Sequence, residues 1–134
     1  MNRVVKTHFI LYVADHAQST EFYSAVLGVE PTLNVPGMTE FAIGEETVLG
    51  LMPEGGAVRL FGDKITRPTP AGILPRAEIY LVVDDPEAFH LRAIDAGSRE
   101  ISPLQARDWG HEAAYSLDPD GYVIAFAREV TEAE

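Results

Sequence analysis

The chain has 134 residues, 46% hydrophobic and 23% charged, which is ordinary usage for one globular domain and excludes wholesale disorder. Its 21 acids against 10 bases leave a formal charge of −11, a field that repels phosphate backbones, so nucleic acid is not an expected partner, and that attracts cationic ligands. Cysteine is absent, which removes disulfides, thiol nucleophiles and cysteinyl metal sites and fits a cytoplasmic setting. The opening Met1–Lys6 stretch has no apolar core, so no signal peptide is expected. No run of about 18 apolar residues is present to span a membrane.

In chain order, Phe9-Ile10-Leu11-Tyr12-Val13 is a short run of aromatic and β-branched residues and predicts a buried strand. Asp15 to Ser19 offer capping side chains for a helix that carries Phe22, Tyr23, Val26 and Leu27 and ends at Gly28. Met38 to Ile43 and Thr47 to Met52 predict two strands joined across Gly44-Glu45-Glu46. From Pro53 to Pro75 prolines and glycines dominate, and the segment reads as a long connection with a short strand at Val58 to Phe61. Ile79 to Val83 predicts another buried strand. Asp84 and Asp85 are placed to cap a helix that opens with Pro86, carries Phe89, Ala93 and Ile94, and closes at Gly97. Ala113 to Leu117 and Tyr122 to Ala127 predict two closing strands around the turn sequence Asp118-Pro119-Asp120-Gly121. His16 and His90 are expected at the surface.

The two halves repeat. His8–Val13 aligns with Glu78–Val83 at an offset of 70, Gly28 with Gly97 at 69, and Thr47–Leu51 with Tyr122–Phe126 at 75. A strand–helix–strands module present twice is the organising feature of the chain. Module one is taken as 1–53, the connecting loop as 54–75 and module two as 76–130. A phosphate loop, a Gly-x-Ser-x-Gly elbow and a His-Glu-x-x-His motif are all missing from the sequence.

Three passages resemble the vicinal oxygen chelate superfamily, which contains glyoxalase I, extradiol dioxygenases and bleomycin resistance proteins. They are His8–Asp15 with Phe22-Tyr23-Ser24-Ala25-Val26-Leu27-Gly28, Glu78–Asp85, and Arg107-Asp108-Trp109-Gly110 through Asp118-Pro119-Asp120-Gly121. The resemblance implies an α+β fold of two βαβββ modules, their curved mixed sheets set around a cleft, in a homodimer. It also implies that metal-dependent members take one ligand from the first and one from the last strand of each module. Carried over, those places are His8, Gly50, Glu78 and Ala125. Glycine and alanine have no donor side chain. His8 and Glu78 suit zinc, nickel, manganese or iron(II), and His111 or Glu112 would have to complete the set.

The expected function is therefore the binding of a small organic molecule with no resident metal. One alternative is a divalent-metal lyase, isomerase or dioxygenase of the same superfamily. A second alternative is a metal-free enzyme with His8 or Glu78 as the base. Strand alternation puts His8, Ile10 and Tyr12 on one face with Val48, Gly50 and Met52, and Glu78 and Tyr80 on the corresponding face with Ala125. Small residues at Gly50 and Ala125 predict a widened, apolar cavity. Trp109, with Arg107, Asp108 and His111, is either a stacking wall over a ligand or packs the hairpin against the partner subunit or module. Tyr12, Tyr80, Tyr115, Phe41 and Met52 are lining candidates, with ordinary core packing as the other reading. Arg59, Lys64, Arg67 and Arg76 are either an anion clamp or a solvated set.

Overall fold

The run from Phe9 to Val13 lacks glycine and proline and favours a pleated strand, and it forms the greater part of strand β1 (Thr7–Val13). The structure, a computed structural model, describes residues 3–64 and 77–130. Asp15 caps helix α1 (His16–Leu27): its Oδ1 accepts the Gln18 N–H at 3.0 Å, satisfying one of the donors a helix start leaves free. Gly28 closes α1 at φ 71°, a left-handed conformation that a Cβ would strain. Strands β2 (Leu33–Val35), β3 (Met38–Ala42) and β4 (Thr47–Pro53) follow. The sheet order is β1-β4-β3-β2, with β1 parallel to β4 and the other pairs antiparallel.

Register assigns the faces of this sheet. Ile10 pairs with Gly50, and Gly50 with Glu40, so His8, Ile10, Tyr12, Met38, Glu40 and Met52 share one side. Val13, Thr39, Phe41, Leu49 and Leu51 occupy the other, and all are buried. That second face meets α1, where Thr39 Oγ1 lies 2.7 Å from His16 Nε2 and 3.0 Å from the Thr20 hydroxyl.

The second half repeats the arrangement with β5 (Glu78–Val82), helix α3 (Pro86–Asp95), β6 (Arg99–Ala106), β7 (His111–Leu117) and β8 (Val123–Glu129), ordered β5-β8-β7-β6. Asp85 caps α3 by accepting the Ala88 N–H at 3.2 Å. The turn between β7 and β8 is held by the buried Asp118, whose Oδ1 accepts the N–H groups of Asp120 at 2.8 Å and Tyr122 at 2.9 Å. The chain divides into two compact units, the first holding β1–β4, most of α1 and the segment after β4, the second holding β5–β8 and α3. The repeat is visible in the registers. The offsets of 70 and 75 carry Ile10 onto Tyr80 and Gly50 onto Ala125, and both pairs are cross-strand neighbours. Two four-stranded mixed sheets with helices make this an α+β fold with the expected βαβββ order in each half. No helix among the described residues is long and apolar enough to cross a membrane.

Several local expectations are corrected. Val58–Phe61 is not a strand but the second half of helix α2 (Glu54–Phe61), which a 3-10 turn at Gly62–Lys64 extends. Gly55 and Gly56 read as breakers, yet α2 packs on β1 and β4. A Cβ at Gly56 would stand 3.5 Å from Met52 Cγ, and the Phe61 ring lies 6.1 Å from that of Tyr12. Tertiary packing overrides propensity there. The connection expected over 54–75 thus begins as helix, and its remainder, 65–75 with Arg67, lies outside the described residues, as does Arg76. His90, expected at the surface, is 2% exposed and its Nε2 lies 2.8 Å from Glu100 Oε2. Pro86, His90 and Ala93 recur at helical spacing and form the buried side of α3. His16 is half-buried through its contact with Thr39.

Candidate functional site

In the first unit His8 projects from the exposed start of β1, and the carboxylate it meets is Glu40, with Nδ1 and Oε2 3.7 Å apart. Glu40 went unnoticed in the sequence. It sits in an ordinary-looking strand segment, and only the register places it beside Gly50 and on the face of His8. The widened cavity expected at Gly50 is not there. A Cβ built on Gly50 would stand 3.2 Å from Ile10 Cγ1 and 3.4 Å from Met38 Sδ, so neighbouring side chains already fill the place of the absent one. Tyr12 and Met52 lie on the same face but at its far end, against α2. Phe41, expected to line a cavity, does not share the face of His8. Strand parity puts it on the face away from His8, fully buried among Val13, Leu49 and Leu51.

The second unit brings more of the candidates together. Arg107 shapes the turn between β6 and β7. Its guanidinium donates to the Ala113 carbonyl at 2.7 and 3.1 Å, to Ser102 Oγ at 2.9 Å and to the Pro103 carbonyl at 3.0 Å, and it lies 5.1 Å over the Tyr115 ring. Its backbone N–H donates to the His111 carbonyl at 2.8 Å. Arg107 is thus a clamp that presents Trp109 at the tip, beside Gly110 at φ 86°.

Trp109 is 56% exposed, yet its indole N–H donates to the Tyr80 hydroxyl at 3.0 Å. The same hydroxyl lies 2.6 Å from His111 Nδ1, and the Tyr80 and His111 rings stack with centroids 5.7 Å apart. Two separate stretches of sequence, β5 with Tyr80 and the turn with Trp109 and His111, therefore meet at one oxygen. Ala125 lies between Tyr80 on β5 and Tyr115 on β7. Burial, and after it the nearby Glu78 carboxylate, raise the Tyr115 hydroxyl above the ordinary tyrosine range, while Arg107 pulls the other way. Glu78 itself is exposed at the start of β5.

The four places implied for a metal can be tested against these surroundings. Gly50 is filled over by Ile10 and Met38, and Ala125 is fully buried between two tyrosines. In the first unit the gathered donors are His8 and Glu40. Among the described residues, no three His, Asp or Glu side chains come together as a set able to hold an ion. That donor set falls short of the three ligands that a facial site requires.

The family model of the Glyoxalase/Bleomycin resistance protein/Dioxygenase superfamily matches residues 7–126. No curated protein matches the chain. Solved structures resemble it across nearly its whole length. A glyoxalase-related enzyme from Fulvimarina pelagi superposes with a TM-score of 0.79 at 20% identity, covering 96% of this chain and 89% of that one. A glyoxalase/bleomycin resistance protein/dioxygenase family enzyme from Burkholderia phytofirmans gives 0.78 at 16% identity, covering 92% and 97%. A glyoxalase/bleomycin resistance protein from Catenulispora acidiphila gives 0.66 at 22% identity, covering 95% and 100%. At such identities the likeness speaks for the fold.

Proposed function

Because the chain belongs to the Glyoxalase/Bleomycin resistance protein/Dioxygenase superfamily, and because a fold does not by itself name an activity, we propose from the site that the protein binds a small aromatic organic molecule, cationic forms preferred, at the Trp109 corner of the second module. The observation that carries this is the state of Trp109. Its polar edge is tied to Tyr80 while most of the side chain is left in solvent. A tryptophan packing the hairpin within its own module would bury its ring. This one is held in orientation with an apolar, electron-rich face uncovered, which suits stacking and cation–π contact. The Glu78 carboxylate and a net charge of −11 favour a positive ligand over a negative one. Binding of this kind needs no metal and no bond chemistry.

Trp109 is the single tryptophan of the chain, so its emission reports on this corner alone. Titration with ethidium, a planar permanent cation, should give a saturable change in emission. Calorimetry on Trp109→Ala should show affinity weaker by about 3- to 30-fold, the range for losing a stacked or cation–π contact. Unchanged affinity in that variant, or no saturable binding to the parent protein, would sink the proposal.

A second reading draws support from the pairing of His8 with Glu40. There His8 acts as a general base, with Glu40 orienting the imidazole, in a metal-free enzyme. His8→Ala separates the two: a bystander leaves ethidium binding within about twofold, whereas a base is also required for any turnover the protein shows.

A further inference from the structure

The hydrogen bonds around Tyr80 can be given directions. An indole nitrogen is only ever a donor, so the Tyr80 oxygen accepts from Trp109. The hydroxyl then has one proton of its own to place. Among the described residues its one acceptor is His111 Nδ1, 2.6 Å away. Placed there, the proton makes Nδ1 the acceptor, and the ring then carries its hydrogen on Nε2. That nitrogen has no protein partner among the described residues. It is also not among the buried, unpaired polar atoms, which are His90 Nδ1 and Ser116 Oγ. His111 Nε2–H thus reaches solvent as an unpaired donor. Stacking against Tyr80 fixes the plane of the imidazole, so the donor has a set direction. The Trp109 nitrogen and His111 Nδ1 both lie within 3.0 Å of one oxygen, so the indole edge and the imidazole are neighbours at this corner.

The charged groups nearby do not compete for that proton. Arg107 is committed to carbonyls and Ser102. Glu112 is paired with Arg128, and strand alternation puts it on the other face of β7. Glu129 is the cross-strand partner of His111 and makes no hydrogen bond to it. A free N–H beside an exposed aromatic face selects for a particular ligand chemistry. A flat hydrocarbon would satisfy Trp109 but leave the imidazole N–H to be desolvated without an acceptor, which is unfavourable.

We propose that His111 is the specificity-determining residue of this corner and that it selects aromatic ligands carrying a hydrogen-bond acceptor, foremost a carbonyl oxygen, at the edge of the ring. The proposal rests on the Trp109 binding reading and narrows it from aromatic molecules to aromatic carbonyl compounds. Tyr80 is a positioning residue: through its hydroxyl it sets which nitrogen of His111 is protonated.

The test uses nitrogen-15-labelled full-length protein and two probes differing in one group, 2-acetylnaphthalene and 2-ethylnaphthalene. Long-range proton–nitrogen spectra of the unliganded protein should show His111 as the Nε2–H tautomer at neutral pH. Tyr80→Phe should release it to a tautomer mixture. Binding is followed by the Trp109 indole N–H resonance. The ketone should bind about 2- to 10-fold more tightly than the hydrocarbon, the range for one neutral hydrogen bond. His111→Phe keeps a ring to stack on Tyr80, and it should bring that ratio close to one, the ketone losing its hydrogen bond and the hydrocarbon no longer desolvating an unpaired N–H. Equal affinity of the two probes for the parent protein overturns the selection by His111 while leaving binding at Trp109 standing. So does a preference for the ketone that survives in His111→Phe, or an Nδ1–H tautomer in the parent protein. Absence of binding by both naphthalenes and by ethidium overturns the binding reading and this proposal with it.

Discussion

Gly50 and Ala125 occupy corresponding places in the two sheets, but small size means different things at each. At Gly50 the space is taken by Ile10 and Met38, whose atoms would stand 3.2 and 3.4 Å from an added Cβ. Restoring a carboxylate there does not by itself rebuild a metal site, because the added side chain must first displace Ile10 and Met38. Gly50→Glu should destabilise the protein by about 1–3 kcal/mol through overpacking alone, with no gain in zinc retained after dialysis. Urea unfolding with metal analysis checks this, and an equally stable variant that takes up zinc would contradict it. Tyr115 supplies the pH dependence. Its folded pKa is raised above the unfolded value of 10.0, first by burial and then by Glu78. The unfolded chain therefore loses that proton first. The contribution is fully present below pH 10, and stability falls as pH rises from there through the folded pKa. Tyr115→Phe should flatten the alkaline loss of stability above pH 10. Urea midpoints for both proteins at pH 9 and above would show whether it does.

At the scale of elements, helix ends carry the most transferable signals. Asp15 and Gly28 bound α1 by a side-chain cap and a left-handed residue. Asp15→Ala should lower stability by about 1 kcal/mol, and Gly28→Ala by about 1–2 kcal/mol through strain at positive φ. Both changes are measurable as shifts of the thermal midpoint without loss of fold. The same local signals explain why α1, α3, β1, β5 and the Asp118 turn were legible in the sequence. Each is specified by residues adjacent to it. Strand β2 is three residues long between Pro31 and Pro36, and β6 carries Pro103 and two register shifts, so neither shows clean alternation. Helix α2 has glycines where a helix former is expected and owes its existence to Met52 and Tyr12 beneath it. Parity has the same limit. Glu40 and Phe41 are neighbours in sequence, and only the pairing with β4 decides which of them faces His8. Tyr80, Trp109 and His111 were legible as chemical types. Their convergence on one hydroxyl was not, because it depends on a strand and a turn about 30 residues apart meeting through the sheet order β5-β8-β7-β6.

At the scale of the whole molecule, two contributions to ligand binding can be separated by their range. The Trp109 corner acts over contact distances, whereas the field of 21 acids against 10 bases acts over a Debye length and is screened by salt. Raising ionic strength from about 0.02 M to about 0.5 M shortens that length from roughly 20 Å to roughly 4 Å. Ethidium should then bind several-fold more weakly, with most of the change in its association rate, since long-range steering acts before contact. The neutral 2-acetylnaphthalene should be insensitive to the same change, or bind slightly better as salt strengthens apolar burial. Stopped-flow quenching of the single tryptophan measures both rates in one protein. If the two probes weaken in parallel, salt is altering the corner itself and the acidic field contributes nothing to ligand choice. If ethidium alone weakens, the sequence acts at two ranges, its net charge favouring cations at a distance and the Trp109 corner selecting on contact.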